Sequence, residues 1–227
     1  ARLDSSLTRS AIHSIENSNV WGYNNYTISG EILRDFSMLG CILIPFIISA
    51  IIIKYASTLD GFLAEKSGKS KWITGEKARK SVHRLRAECD GILVGAKTIL
   101  YDNPDLSSHG EGRDPKIFIL SRDKNISKAF NVIGKGASIL KQSPKTDNHK
   151  NILNIINQLK KYNIYTLLIE GGGKTITSFL EANLFDEIRC YFAPKFLGKG
   201  VPVYTSVGDL EDSFKLNIEK IDILDDD

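Results

Sequence analysis

The alternation of short apolar runs with helical patterns is the feature that most constrains the fold of this chain. From Lys54 onward, apolar runs at 91–94, 116–120, 165–169 and 188–193 are separated by longer segments, several of which have apolar residues at helical spacing. Parallel strands need a long crossover between them, and the crossover is usually a helix. The sequence therefore predicts an α/β fold in which helices flank a mixed, largely parallel central sheet.

Three helices are predicted within this alternation, over residues 76–88, 152–161 and 175–182. The first of them carries apolar residues at helical spacing, namely Ala78, Val82 and Leu85. Thr74 is of a residue type that caps helices and is the predicted N-cap of that helix. Residues 141–150 are uniformly polar and are predicted to form a loop.

The apolar run at residues 38–53 raises the question of a membrane segment. It holds sixteen residues without a charge, whereas a spanning helix needs about 20 apolar residues, and Pro45 would break this one. An Ile-rich run bounded by proline and charge is typical of a strand covered on both faces. We therefore predict a strand over residues 46–56, with a membrane anchor left open as the alternative.

The length of 227 residues suffices for one full domain plus an appendage. Residues 1–44 are polar and only weakly periodic, and we predict an N-terminal appendage of unknown role there. Residues 45–227 are predicted to form the functional domain. Because the chain begins at Ala1 rather than Met and ends abruptly at Asp227, we expect a fragment of a longer protein whose domain is truncated at its carboxyl end.

Composition excludes several classes of protein. Three cysteines at wide spacing, with no CxxC pair, exclude a disulfide scaffold and a cysteine-rich zinc module, and they fit a reducing compartment such as the cytoplasm. The four histidines lack metal-ligand spacing, so no metal site is predicted. A net charge of +3 is too small to argue for nucleic-acid binding.

The strongest local signal is a strand that runs into three glycines and then into a helix, at residues 167–175 (LLIEGGGKT). Glycines let the backbone approach a ligand closely, and a helix start offers unpaired N–H groups and the positive end of the helix dipole. The segment predicts a phosphate or pyrophosphate site. A tight strand–helix turn without a ligand is the alternative reading of the same pattern.

Three polar clusters accompany this turn. Residues 54–61 (KYASTLDG) leave a strand at an Asp-Gly turn, residues 68–75 (GKSKWITG) carry Trp72, and residues 83–106 follow a helix with a turn at Asp-Asn-Pro. A tryptophan in a polar loop can offer a flat wall to a ring. Each cluster taken alone is more often structural.

Together these segments resemble the reductase domain of bacterial riboflavin biosynthesis, the pyrimidine reductase half of a bifunctional deaminase–reductase. Five motifs in the order and spacing of that family carry the resemblance, and they span about two thirds of the chain. They are KYASTLDG at 54–61, GKSKWITG at 68–75, HRLRAECDGILVGAKTILYDNPDL at 83–106, LLIEGGG at 167–173 and APKFLG at 193–198.

The resemblance implies a dihydrofolate-reductase-like fold, NADPH as hydride donor, and a pyrimidine substrate with a phosphorylated ribosylamino side chain. The hydride would pass to the ribosyl C1′, giving the ribitylamino product. It also implies a cytoplasmic homodimer without a nucleic-acid or membrane partner.

Residue roles follow from motif positions in the same way. The resemblance places Lys54 and Glu170 at the chemistry. Substrate contacts are implied for Lys54, Ser70, Arg86, Leu106, His109 and Glu170, with Arg86 suited to a fork-like grip on phosphate. Cofactor contacts are implied for Ala56, Trp72, Thr98, Asp102, Ser121, Gly172, Gly173, Lys174, Thr175, Ile176, Thr177 and Ser178. Arg122 and Lys124 are candidates for the cofactor 2′-phosphate, although solvated surface side chains explain either one as well.

The chain departs from the family pattern in several places. His109 stands where a second phosphate arginine is usual, so phosphate contact there would be weaker and pH-dependent. The interval from Pro45 to Lys54 is about four residues longer than usual, which indicates an insertion. No deaminase zinc motif occurs in residues 1–40, so we expect no deaminase activity. Two alternatives stay open: a relative that reduces another heterocycle or an aldehyde, and a catalytically impaired or membrane-tethered nucleotide-binding relative.

Overall fold

The computed structural model describes residues 48–70, 73–122, 126–127, 129–143, 147–205, 213 and 215–224. The predicted appendage at 1–44 and most of the apolar run at 38–53 lie outside these residues. The elements of the described part, in chain order, are β1 Ala50–Thr58, β2 Phe62–Glu65, α1 Glu76–Glu88, β3 Gly91–Gly95, α2 Ala96–Asp102, β4 Lys116–Ser121, α3 Asn131–Gly134, β5 Ser138–Lys141, α4 Asn148–Leu159, a 3-10 turn Lys160–Tyr162, β6 Thr166–Glu170, α5 Gly173–Glu181, β7 Glu187–Ala193 and β8 Gly200–Pro202.

A six-stranded sheet in the order β5-β4-β3-β6-β1-β7 forms the centre of the fold. Every strand pairing recorded within it is parallel. The only antiparallel pairing among the described strands joins β2 to β8 in a separate two-stranded sheet. The predicted α/β architecture with a largely parallel sheet and flanking helices is therefore confirmed.

The core lies on both faces of this sheet, which explains why its central strands read as continuous apolar runs. Helices α4 and α5 cover one face, and Ile155 and Phe179 of these helices are fully buried there. The other face is covered by α1, α2 and α3, through Leu85, Ile99 and Val132. No helix among the described residues is long and apolar enough to cross a membrane.

Helix α1 has the predicted bounds, but the predicted cap is wrong. Its N-cap is Gly75, without a side-chain hydrogen bond, and Thr74 serves the helix through its carbonyl oxygen, which accepts a bond of 2.8 Å from Arg79 Nη1. Helix α4 begins four residues before the predicted start, because Asp147 caps it by accepting a bond from the Lys150 amide. The end of the predicted polar loop is thus helical.

The connections place a crevice between β3 and β6. From β3 the chain passes through α2 to β4 and then toward the β5 edge, whereas from β6 it passes through α5 to β7 at the opposite edge. Neighbouring parallel strands whose connections diverge in this way leave a crevice outside their carboxyl ends, and ligands of open α/β sheets bind there. Gly95 ends β3 and Glu170 ends β6, so the fold points to this edge as the site.

Candidate active site

The glycine turn after β6 forms one wall of the crevice. Gly171 and Gly172 have φ angles of +90° and +80°, which favour glycine, and Gly172 is the N-cap of α5. A Cβ atom added to Gly172 would lie 3.2 Å from Thr98 Oγ1 on α2. The first N–H groups of a helix have no intrahelical partner, so this turn presents donors to the crevice.

The end of β3 meets the same turn. A Cβ atom on Gly95 would lie 2.7 Å from Thr175 Oγ1, so the Thr175 side chain packs directly against the Gly95 backbone and leaves no room there for a side chain. Thr98, Gly172 and Thr175, three predicted cofactor residues, therefore surround one cradle at the carboxyl edge of the sheet. Such a cradle fits the pyrophosphate of a nicotinamide dinucleotide, which these backbone amides would hold.

The other predicted cofactor residues lie around this cradle in different settings. Asp102 ends α2 and accepts a bond of 3.0 Å from Ser70 Oγ, which links a predicted cofactor residue to a predicted substrate residue. Ser121 is buried at the end of β4, and Ala56 lies on β1. Trp72 lies outside the described residues.

Part of the predicted cofactor-binding stretch on α5, residues 176–178, has its side chains engaged in contacts within the protein. The Ile176 side chain belongs to the core, and Thr177 Oγ1 lies 3.2 Å from Thr205 Oγ1. Ser178 Oγ donates to the carbonyl oxygen of Lys174 one turn earlier. Contacts of these residues with a cofactor remain a prediction.

A buried ionic cluster lies directly before the glycine turn. Arg86 of α1 holds the Glu170 carboxylate with two bonds, Nε to Oε1 at 2.8 Å and Nη2 to Oε2 at 2.9 Å. Lys54 of β1, the residue registered opposite Glu170 in the sheet, has its Nζ 4.0 Å from Oε2. The exposed fractions of these three side chains are only 8–13%. Charges buried to this extent persist only when they are paired.

The cluster shifts the pKa values of its members. Burial alone would raise the pKa of Glu170, but the neighbouring charges of Lys54 and Arg86 outweigh it and lower that pKa to about 2. Burial lowers the pKa of the Lys54 ammonium, and the nearby Arg86 adds to this, although Glu170 opposes both. The site thus contains a firmly ionised carboxylate and an amine that releases its proton more readily than a surface lysine.

The fork of Arg86 is used within the protein. Its Nε and Nη2 atoms bind Glu170, and its Nη1 donates to the Ser107 carbonyl oxygen at 3.1 Å. In the described part of the chain these three bonds leave two of the five guanidinium N–H groups, one on Nη1 and one on Nη2, for the predicted grip on a phosphate. In this structure Arg86 holds Glu170 in place and ties α1 to the loop after α2.

That loop, residues 103–115, carries the remaining predicted substrate residues. Leu106 is buried, and both Leu106 and His109 have positive φ angles, +59° and +49°. The loop is fixed by Ser108, which is fully buried and donates to Gly112 O and to Asp114 Oδ1. Backbone conformations of this kind are costly and persist where surrounding contacts enforce them.

His83 is a residue that the sequence reasoning did not assign to the site. Its ring stacks on that of His109, with centroids 4.1 Å apart and planes inclined by 26°. The signal that could have found it is its spacing, because His83 lies three residues before Arg86 and therefore on the same face of α1. The partner across the loop could not be read from that spacing.

Comparison with known proteins gives consistent matches. A family model described as the RibD C-terminal domain matches residues 49–227. The riboflavin biosynthesis protein RibD of Aquifex aeolicus is 34% identical over 201 residues, which cover 78% of this chain and 55% of that protein. This chain spans about half the length of the curated relatives that it matches.

Solved structures of similar proteins match the chain as well. The diaminohydroxyphosphoribosylaminopyrimidine deaminase/5-amino-6-(5-phosphoribosylamino)uracil reductase of Thermotoga maritima is 34% identical, with a TM-score of 0.63 over 76% of this chain and 54% of that one. RibD of Acinetobacter baumannii is 26% identical, with a TM-score of 0.67 over 78% of this chain and 56% of that one.

Proposed function

The chain belongs to the RibD C-terminal domain family, and on that premise we propose that it is an NADPH-dependent reductase of riboflavin biosynthesis. Its substrate is 5-amino-6-(5-phosphoribosylamino)uracil, the compound named for the reductase activity of the similar Thermotoga maritima protein. The reaction reduces the ribosyl C1′ and gives the ribitylamino product.

The observation that carries this proposal is the contiguity of two different sites. The glycine cradle, suited to a dinucleotide pyrophosphate, follows immediately after Glu170 of the buried ionic cluster. A hydride transfer needs its donor and acceptor carbons held close together, so much of its rate comes from positioning. Two adjoining sites at the carboxyl edge of one sheet supply that arrangement.

The residues of the cluster have separate tasks in this proposal. NADPH supplies the hydride when it is bound. The net reaction also consumes one proton, because the C1′=N double bond of the ring-opened ribosylamine is reduced to a single bond, with a hydride from NADPH added at C1′ and a proton at nitrogen. We assign proton delivery to Lys54, whose lowered pKa eases release. Ionised Glu170 accepts hydrogen bonds from the polar groups of the pyrimidine, and Arg86 fixes its orientation.

The preference for NADPH over NADH is proposed from the residues after β4. Arg122 follows buried Ser121 at the strand end and is exposed, so its guanidinium can reach a 2′-phosphate outside the cradle. Arg122→Gln should raise the Kd of NADPH about tenfold or more and leave that of NADH unchanged. Equal effects on the two Kd values would contradict this assignment.

A cytoplasmic homodimer completes the proposal. Its support is the β7 edge of the sheet and the loop after it, which expose Phe192, Phe196 and Leu197. Light scattering of the purified protein at several concentrations tests the dimer, and fractionation of cells tests the compartment. A mass equal to one chain at all concentrations would contradict the dimer.

The activity itself is tested by the absorbance of the reduced nicotinamide. Purified protein, NADPH and the phosphoribosylamino substrate should give a loss of absorbance that depends on all three, together with the ribitylamino product. Lys54→Met should lower kcat strongly with an unchanged NADPH Kd, and Lys69→Met, which removes an exposed lysine from the loop after β2, is the matched control. NADPH binding without turnover would favour the binding-protein alternative and overturn the proposal.

A further inference from the structure

The stacked imidazoles of His83 and His109 form a second polar cluster beside the ionic cluster, since Arg86 and Glu170 act electrostatically on His83. His83 is half-buried on α1, and the His109 side chain is 46% exposed on the loop after α2. One ring is therefore held by the fold while the other is open to an incoming ligand. The described contacts give this pair no structural task such as capping a helix or closing a strand.

Charged groups face the pair from every neighbouring element. His83 is influenced by Arg86 on its own helix, Glu170 at the end of β6, and Glu111 and His109 on the loop. His109 Nε2 lies 3.7 Å from Asp105 Oδ1. The pair is thus surrounded by both signs of charge, and the balance between them decides what it can bind.

The carboxylates near the pair already have cationic partners. Glu170 is held by Arg86, Glu111 accepts a bond of 3.0 Å from Arg84 Nε, and Asp105 is paired with Lys135. Lys54 and Lys80 add further positive charge to the first two of these pairs. A protonated His109 imidazole would therefore share its carboxylate, that of Asp105, with Lys135.

The stacking itself works against charging both rings. Burial, followed by the neighbouring His109 and Arg86, lowers the pKa of His83, while Glu170 and Glu111 oppose this. Two imidazolium rings 4.1 Å apart would repel each other unless an anion lay between or beside them. A charge on both stacked rings is therefore unfavourable without a ligand, and an anion beside the rings offsets that repulsion.

We propose that His83 is a specificity residue for the phosphate of the substrate, and that the His83–His109 pair takes up a proton when a phosphate monoester dianion binds. This inference rests on the proposed function, because it concerns the phosphate end of the same substrate. A phosphate offers several acceptor oxygens, and protonated imidazoles offer two N–H donors each. The unphosphorylated nucleoside, which lacks that charge, would gain nothing from the pair.

The proton requirement predicts a distinct pH dependence. A phosphate monoester has its second pKa near 6, so it is almost fully dianionic above pH 7. Above that pH, the uptake of one proton on binding raises the substrate KM by up to about tenfold per pH unit. kcat should be nearly unaffected by this process, and the KM of the unphosphorylated nucleoside should not follow it.

Proton NMR of the histidine C2–H signals tests the pair without turnover. Inorganic phosphate should move the titration of the His83 and His109 signals to higher pH. The His149 signal, from an exposed ring near the Ala182 carbonyl oxygen, is the internal control. The proposal is overturned if phosphate leaves the titration curves of His83 and His109 unchanged, or if it shifts the His149 curve by the same amount.

Two substitutions extend the test to the substrate. His83→Phe keeps an aromatic ring for the stack but removes the proton site, so it should flatten the rise of KM with pH and lower the proton uptake measured by calorimetry in buffers of different ionisation enthalpy. His149→Phe should leave both unchanged. If the unmodified protein turns over the substrate and the His83→Phe protein has the same dependence of KM on pH, the inference is refuted and the proposed function stands. If phosphate shifts the NMR titration of the histidine pair but the protein has no turnover, the proposed function is refuted and phosphate binding by the pair stands.

Discussion

Replacing Glu170 by glutamine removes the charge that balances two buried cations, and its cost can be worked from the structure. The pKa of Glu170 falls from an ordinary 4.5 to about 2 in the folded protein. At 1.36 kcal/mol per pKa unit, this difference corresponds to about 3 kcal/mol of folding free energy at neutral pH. The value agrees with the ~3–5 kcal/mol typical of removing one partner from a buried ion pair.

The sign of the pH dependence follows from the direction of this change. Because the pKa is lower in the folded state, the stabilisation is fully present above pH 4.5 and is lost as the pH falls from 4.5 toward 2. The Glu170→Gln protein should therefore be less stable than the unmodified one by about 3 kcal/mol at pH 7. The difference should stay near this value down to pH 4.5 and shrink as the pH falls further.

Urea unfolding followed by far-UV circular dichroism measures this difference, with both proteins compared at several pH values between 7 and 3. Glu181→Gln, at an exposed position on α5, is the matched control and should have the stability of the unmodified protein. A Glu170→Gln protein as stable as the control at pH 7 would refute the reasoning. So would a stability difference that stays constant down to pH 3.

Three further predictions follow from other contacts. Gly95→Ala should lower the free energy of unfolding by about 1–3 kcal/mol, because the added methyl group clashes with Thr175 Oγ1. Thermal unfolding should show that the second substitution Thr175→Ala restores the stability, and a double variant that stays destabilised would exclude the clash. Arg86→Met should raise the substrate KM at least about tenfold, because Glu170 loses its orienting partner. The NADPH Kd, measured by fluorescence titration, should stay nearly unchanged, and an equal rise in KM and Kd would mean that the substrate and cofactor sites are not separate. Asp90→Ala should lower stability by about 2 kcal/mol or more, because its carboxylate accepts bonds from the Tyr165 and Thr166 amides, while kcat at 25 °C in the same preparation stays the same.

The family and the class of fold could be predicted because their signals are local. The bounds of α1 follow from apolar spacing, and the strand–glycine–helix order at 167–175 is visible in consecutive residues. The resemblance built on five motifs is confirmed by the family match over 49–227. Short elements without such periodicity, among them β5 and α2, were not predicted.

The sequence by itself therefore determined the α/β class, the glycine turn and the residue types available for chemistry, because these depend on periodicity and on single-residue conformational preference. The tertiary structure alone decided which of those residues meet. Arg86 and Glu170 are 84 positions apart in sequence, and they pair because α1 packs over the end of β6. Likewise His83 meets His109 only across a loop held by its own contacts. Sheet order and loop conformation set these encounters, and no local pattern encodes either of them.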